Sequence, residues 1–154
     1  MQKIHNGAAI IITNNSCSKF FIQRKDDTYP LKECRGCISL FGGACDDDED
    51  SETTIARELA EELVLDNIKI TPKLWRNFRL HGNQFANTYE ITVFTCFLTD
   101  EVFEELAKQI VRPQVVLEGL GEIVTREQLC KWSKDTSKFF ASLDVVIDEF
   151  LQQH

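Results

Sequence analysis

The chain has no apolar run approaching the ~18–20 residues that a membrane-spanning helix requires, so no span is expected. It has no basic stripe either: 17 Lys and Arg stand against 25 Asp and Glu, a formal net charge of −8. Without clustered positive charge there is little to displace counterions from a phosphate backbone, which argues against broad nucleic-acid binding. The N-terminal stretch carries one lysine and no small-residue cleavage site, so no secretory leader is expected and the chain reads as cytoplasmic. There is no Gly-x-Ser-x-Gly elbow and no local Cys–His pair, hence no covalent nucleophile of a familiar kind. No repeat, linker or low-complexity segment divides the sequence, and residues 1–154 read as a single globular domain.

Six cysteines are present, with Cys34 and Cys37 at the spacing of a metal clip. A structural zinc site needs four ligands, and no second such pair follows. His5, His81 and His154 are scattered, and Cys17, Cys45, Cys96 and Cys130 stand alone. Reduced thiols acting as small hydrophobes are the expectation. Residues 46–49 are acidic but lack the alternating acidic spacing of a calcium-binding EF-hand loop.

What the chain does have is a carboxylate-rich helix. Residues 43–65 read GACDDDEDSETTIARELAEELVL. On a helix advancing about 100° per residue, Glu58, Glu61 and Glu62 fall within an arc of roughly 100°. Like charges three and four apart each destabilise a helix by about 0.2–0.5 kcal/mol. A hard divalent cation reverses that penalty, because Mg²⁺ takes oxygen ligands and keeps waters and substrate phosphates in its shell. Ala56, Leu59, Ala60 and Leu63 form the apolar side, so the carboxylates flank the buried face.

The segment resembles the signature of the Nudix (MutT-type) hydrolases. Gly43 is followed at the family's spacing by Glu49, Arg57-Glu58, aliphatic Leu59, the pair Glu61-Glu62 and aliphatic Leu65. One specified position departs: Val64 stands where the family has a second glycine, a position at which a positive φ would be expected and which β-branched Val resists. Asn67 is the alternative left-handed residue. The resemblance implies Glu58, Glu61 and Glu62 as Mg²⁺ ligands, with Mn²⁺ as a substitute, helped by the backbone carbonyl of Gly42. It implies an Arg57–Glu49 ion pair that orients the carboxylates. Glu118, before Gly119, resembles the further acidic site of MutT-like members, as an extra ligand or general base; Glu58, Glu61 and Glu118 all remain candidates for the proton acceptor.

The implied reaction is Mg²⁺-dependent attack of water on the diphosphate of a nucleoside diphosphate derivative. A nucleoside triphosphate giving monophosphate and pyrophosphate is the first expectation and a nucleotide sugar the alternative. A non-catalytic Nudix-fold nucleotide sensor is the alternative of another class, against which the retained glutamates count. The partner is a small nucleotide, and the oligomeric state stays open, a homodimer included. Phe41, Trp75, Phe78 and Tyr89 are candidates to stack a base, each in strand-like sequence where a core role competes.

Along the rest of the chain, residues 7–13 and 19–23 read as a hairpin around Asn14-Asn15-Ser16, and 24–36 as a loop. A short strand over 37–41 should end at Gly42-Gly43. The carboxylate helix spans 51–63 with Asp50 or Ser51 as cap. Strands are expected over 68–80 and 88–98, a helix over 100–110 capped by Asp100, and broken edge segments at 115–117 and 121–124. Thr125 to Gln128 has capping-box character, and an amphipathic helix over 139–151 closes the chain with Phe140, Leu143, Ile147 and Phe150. This order suits an α/β sandwich with a mixed sheet between helices.

Overall fold

In the computed structural model, which describes residues 4–154, the β-branched run at the start becomes strand β1, Ile4–Asn14. The first three residues of the N-terminal stretch considered above lie outside that description. Alternate β1 side chains enter opposite cores: Ala8, Ile10 and Ile12 on one face, Ala9 and Ile11 on the other. A strand buried on both faces reads as a continuous apolar run, as here. Each of the fully buried isoleucines contributes about 1.5–3 kcal/mol relative to exposure.

β1 organises the sheet. It pairs antiparallel with β2 (Lys19–Arg24) and with β4 (Phe41–Ala44), and parallel with β6 (Thr88–Leu98). β2 also carries β3 (Ile38–Ser39) and β7 (Leu120–Thr125), while β6 carries β5 (Lys73–His81). Among the described residues these seven strands form one mixed sheet. Helices α1 (Ser51–Glu62) and α2 (Asp100–Ile110) cover one face through Ile55, Leu59, Phe103 and Leu106. Helices α3 (Arg126–Trp132) and α4 (Asp144–Gln153) cover the other through Leu129, Val146, Ile147 and Phe150. The expected α/β/α sandwich is therefore what forms.

Several local expectations are met. The Asp50 carboxylate caps α1 by accepting from the Thr53 N–H at 2.7 Å, and Thr125 and Gln128 close a capping box at α3. All six cysteines are free; Cys17, Cys34, Cys37 and Cys96 are buried as small hydrophobes, whereas Cys45 is half-buried and Cys130 is exposed.

Others are corrected. Gly42 and Gly43 do not end a strand; they lie inside β4, opposite Ala9 and Ala8. Gly42 has φ +140, and a Cβ there would stand 2.1 Å from the Ala8 carbonyl oxygen, so only glycine permits this approach. The strand expected over 68–80 starts only at Lys73. Before it, Asn67 is left-handed (φ 56), the Gln109 amide binds both Asp66 N and O at 2.7 Å, and Pro72 lacks a donor. Thr99, not Asp100, caps α2, accepting from Val102 N. The closing helix begins at Asp144 rather than residue 139, because Ala141 (φ 53) and Ser142 (φ 58) are both left-handed.

Candidate active site

The end of α1 sets the site. After Glu62 the chain does not turn left-handed; Leu63 is extended (φ −128, ψ 131). Val64 N–H donates to Val115 O and Leu117 N–H to Glu62 O, each at 2.8 Å. The glycine of the family signature is unnecessary because the departing backbone is strand-like, which suits a β-branched residue. This short ladder brings the segment carrying Glu118 against the last turn of α1. Gln23 of β2 completes the stitch: its side-chain amide donates to Glu62 Oε2 at 2.7 Å and to the Glu118 carbonyl at 2.9 Å.

Arg57 ties the acidic loop to the helix. It grips Glu49 with two hydrogen bonds of 2.9 Å, from Nε and from Nη2. It also reaches the Ala44 carbonyl at 3.1 Å and Glu58 Oε1 at 3.0 Å, and Glu61 at 3.4 Å. Glu49 accepts further from the Thr54 hydroxyl at 2.6 Å. The guanidinium first, and that hydroxyl second, hold the Glu49 carboxyl down at about 2, and the Arg57 pKa is raised in turn, by Glu49 above all.

The carboxylates differ in setting. Glu61 is half-exposed on the rim, with 53% of its side chain accessible. Glu58 packs on Gly43, where a Cβ would stand 2.4 Å from its Oε1. Burial raises the Glu58 pKa, with Glu61 and Glu118 adding to it and Arg57 opposing. Glu62 is 1% exposed and also accepts from the Gly42 N–H at 3.0 Å. Burial pushes its pKa up to about 8, with the charges of Glu58 and Glu118 in the same direction and the Gly42 and Gln23 donors opposing. Carboxyl groups are crowded here, and it is burial, more than the charge of their neighbours, that outweighs the nearby donors and disfavours their ionised forms.

That crowding is the test of fit for a divalent cation. Among the described residues no three His, Cys, Asp or Glu side chains are closed into a ready-made cage. The donors nonetheless fit in chemistry: they are hard carboxylate oxygens whose mutual repulsion a cation would relieve. What the structure displays at Gly42 is its N–H, engaged with Glu62.

Beside the carboxylates lies a cavity of about 230 Å³ floored by Gly42 and Gly43 and walled by Tyr29, Tyr89 and Phe140. The Lys25 ammonium sits 4.7 Å from the Tyr29 ring centre and 4.8 Å from that of Phe140. Lys25 and Tyr29 also border a second cavity of about 280 Å³, lined by Gln23, Asp26, Thr28 and Glu118. Of the four aromatics that are candidates either to stack a base or to fill the core, Tyr89 alone lines the aromatic cavity. Phe41 is fully buried, Trp75 packs on Phe150, and Phe78 borders an open groove with the acidic loop. Gln23, Lys25, Tyr29 and Phe140 escaped sequence reasoning. Tyr29 and Lys25 sat in a stretch read as polar loop, and Phe140 in a stretch read as helix.

The profile of the NUDIX domain matches residues 3–142. The chain belongs to the NUDIX family. It is a Nudix hydrolase, of a family that hydrolyses nucleoside diphosphates linked to another moiety and generally employs divalent metal ions. The fold resembles the MutT protein of Methanosarcina mazei Go1, with a TM-score of 0.67 at 16% identity over 99% of this chain and 96% of that one. A MutT structure from work on Aliivibrio salmonicida and Vibrio cholerae aligns with a TM-score of 0.63 at 21% identity, covering 99% and 100%. A NUDIX hydrolase of Nitrosomonas europaea gives 0.66 at 13%, covering 98% and 90%. At such identities the likeness is one of fold. No curated protein shows a significant match to this chain. No helix among the described residues is long and apolar enough to cross a membrane.

Proposed function

We propose that this Nudix hydrolase is a Mg²⁺-dependent pyrophosphohydrolase of nucleoside triphosphates, releasing a monophosphate and pyrophosphate. The observation that carries the reading is the meeting of the α1 carboxylate rim with Glu118, beside an aromatic cavity that a base can enter. Glu58, Glu61 and Glu62 would hold the cation with Glu118 and the Gly42 carbonyl, Mn²⁺ serving in its place. When bound, the cation supplies neutralisation of the phosphate oxygens and activation of water.

The protein's own residues do the rest. Arg57, fixed by Glu49, orients Glu58 and Glu61. Gln23 and the Gly42 N–H fix Glu62. Glu118 is exposed and accepts the proton of the attacking water, a role that requires hydrogen-bond reach; Glu58 and Glu61 are the other candidates. Tyr29, Tyr89 and Phe140 offer π-faces to a base, and the Lys25 ammonium, set against the Tyr29 and Phe140 rings and within electrostatic reach of Glu62 and Glu118, can meet a phosphate.

The second cavity favours a second reading. Thr28, Asp26 and Gln23 offer hydroxyl, carboxylate and amide partners suited to sugar hydroxyls, so a nucleotide sugar is the alternative substrate. A screen of nucleoside triphosphates, nucleotide sugars and dinucleotides with Mg²⁺, identifying the monophosphate product, tests both. Turnover of triphosphates above the others supports the first reading. Preference for nucleotide sugars overturns it in favour of the second, and no metal-dependent turnover of any overturns both.

A further inference from the structure

Two adjacent non-glycine residues, Ala141 and Ser142, are left-handed, and both are buried, at 1% and 7% exposure. Sparsely populated backbone of this kind persists only where its surroundings over-determine it, and it clusters at ligand sites. Here the surroundings are two side-chain amides from the turn between β5 and β6. Asn83 Oδ1 accepts from Ser142 N–H at 3.0 Å, and Gln84 Oε1 from Ala141 N–H at 3.2 Å. Asn83 Nδ2 donates to the carbonyls of Phe139 at 2.9 Å and Thr136 at 2.5 Å. Gln84 Nε2 donates to Phe139 O at 2.7 Å, and the Ser142 hydroxyl to His81 O.

The residue between these anchors is Phe140. The turn projects its ring into the aromatic cavity, edge-on to Tyr29 at 6.0 Å and to Tyr89 at 6.4 Å. Its neighbours Ala141 and Leu143 line the same cavity. Were residues 139–143 helical, as their sequence suggests, the backbone that aims Phe140 would be different and the amides of Asn83 and Gln84 would lose their partners.

Resting on the nucleotide-hydrolase reading above, we infer that Asn83 and Gln84 are positioning residues of the substrate pocket. Their amides hold the left-handed turn that presents Phe140 as a wall for the nucleoside, and they set its affinity without touching the phosphates. A tie that served only to anchor α4 would change stability and leave substrate affinity alone.

The test is kinetic and structural on the full chain at a temperature where every variant is folded. In Asn83→Ala and Gln84→Ala, the amide protons of Ala141 and Ser142 should exchange at least tenfold faster than in the wild type. KM for the preferred substrate, and Kd for its nucleoside monophosphate by calorimetry, should rise at least tenfold while kcat falls less than threefold. Phe140→Leu should reproduce the KM rise with exchange unchanged. Asn83→Asp keeps the acceptor but turns a carboxylate oxygen on the Phe139 and Thr136 carbonyls, and should raise KM at least as far as Asn83→Ala; Gln84→Ala carries the test with Phe140→Leu if the Asn83 variants do not fold.

Unchanged exchange, or faster exchange with KM and Kd unchanged, overturns the inference. A wild type that binds the monophosphate without hydrolysing any substrate overturns the hydrolase reading alone, and Kd then decides the clamp. A wild type that does neither overturns both.

Discussion

At Gly43 a Cβ would stand 2.4 Å from Glu58 Oε1 and 2.5 Å from its Cδ, so any larger residue fits only if that carboxylate moves. That contact gives the signature glycine a direct chemical reason: it lets a carboxylate lie against the strand. Gly43→Ala should displace Glu58 and lower kcat at least about tenfold, since a misplacement near 1 Å can cost about 10²-fold. Overpacking should cost only about 1–3 kcal/mol of stability, so kinetics and a denaturant melt separate the two effects. Glu61 is a different case. It is half-exposed and, among the described residues, bound only by long contacts to Arg57, so Glu61→Gln should leave the melt unchanged while kcat falls at least about 10²-fold, the scale of a lost catalytic group. A variant keeping a third of wild-type turnover at saturating Mg²⁺ would remove Glu61 from the site. Glu118→Gln should lower kcat far more than it alters KM, as a group acting in the transition state does.

The ends of elements, more than their middles, separate what the sequence predicts from what forms. Helix α1 was legible because its cap and its carboxylates are local, but its buried side is not the expected one: Thr54, Ile55, Leu59 and Glu62 are buried while Ala56 and Ala60 are exposed. With the helix came Glu49, Arg57, Glu58, Glu61 and Glu62, most of the candidate site. The left-handed break before α4 was not legible, because residues 139–143 carry a helical pattern and the amides that override it come from Asn83 and Gln84, far away in sequence. Tyr29, Lys25 and Phe140 were missed for the same reason: a cavity wall assembled from three segments leaves no periodic trace. Val64 shows the reverse, an apparent defect that the fold explains. The chain leaves α1 extended at Leu63, the Val64 N–H bonds to the Val115 carbonyl, and Val64 is 55% exposed. Val64→Gly should therefore destabilise, by about 0.5–1 kcal/mol from chain entropy, with activity kept. A urea midpoint that rises in this variant would mean that the helix end prefers the left-handed turn after all.

For the molecule as a whole, the opposed pKa shifts of Glu62 and Glu49 tie stability to pH and to metal. A glutamate in an unfolded chain titrates near about 4.3. Glu49, held down at about 2, stabilises the fold above its unfolded pKa, and that contribution is lost as pH falls towards 2. Glu62 has the other sign. Its folded pKa of about 8 means that between about 4.3 and 8 the folded state keeps a proton that the unfolded chain has released, so stability falls as pH rises across that window. The net charge of −8 adds self-repulsion in the same direction. Metal-free protein should therefore show a Tm that falls from pH 5 to pH 8 in the presence of a chelator, and Glu62→Gln should flatten that slope. A cation that binds only the folded state adds RT ln(1 + [L]/Kd), and it does so through ionised carboxylates. Millimolar Mg²⁺ should accordingly raise Tm clearly at pH 8 and little at pH 5, recovering much of what the alkaline side lost. A Tm that climbs from pH 5 to 8 without metal would show that Glu62 ionises freely in the fold. An equal Mg²⁺ shift at both pH values would place the cation away from these carboxylates, because protonation at pH 5 would then leave its ligands untouched.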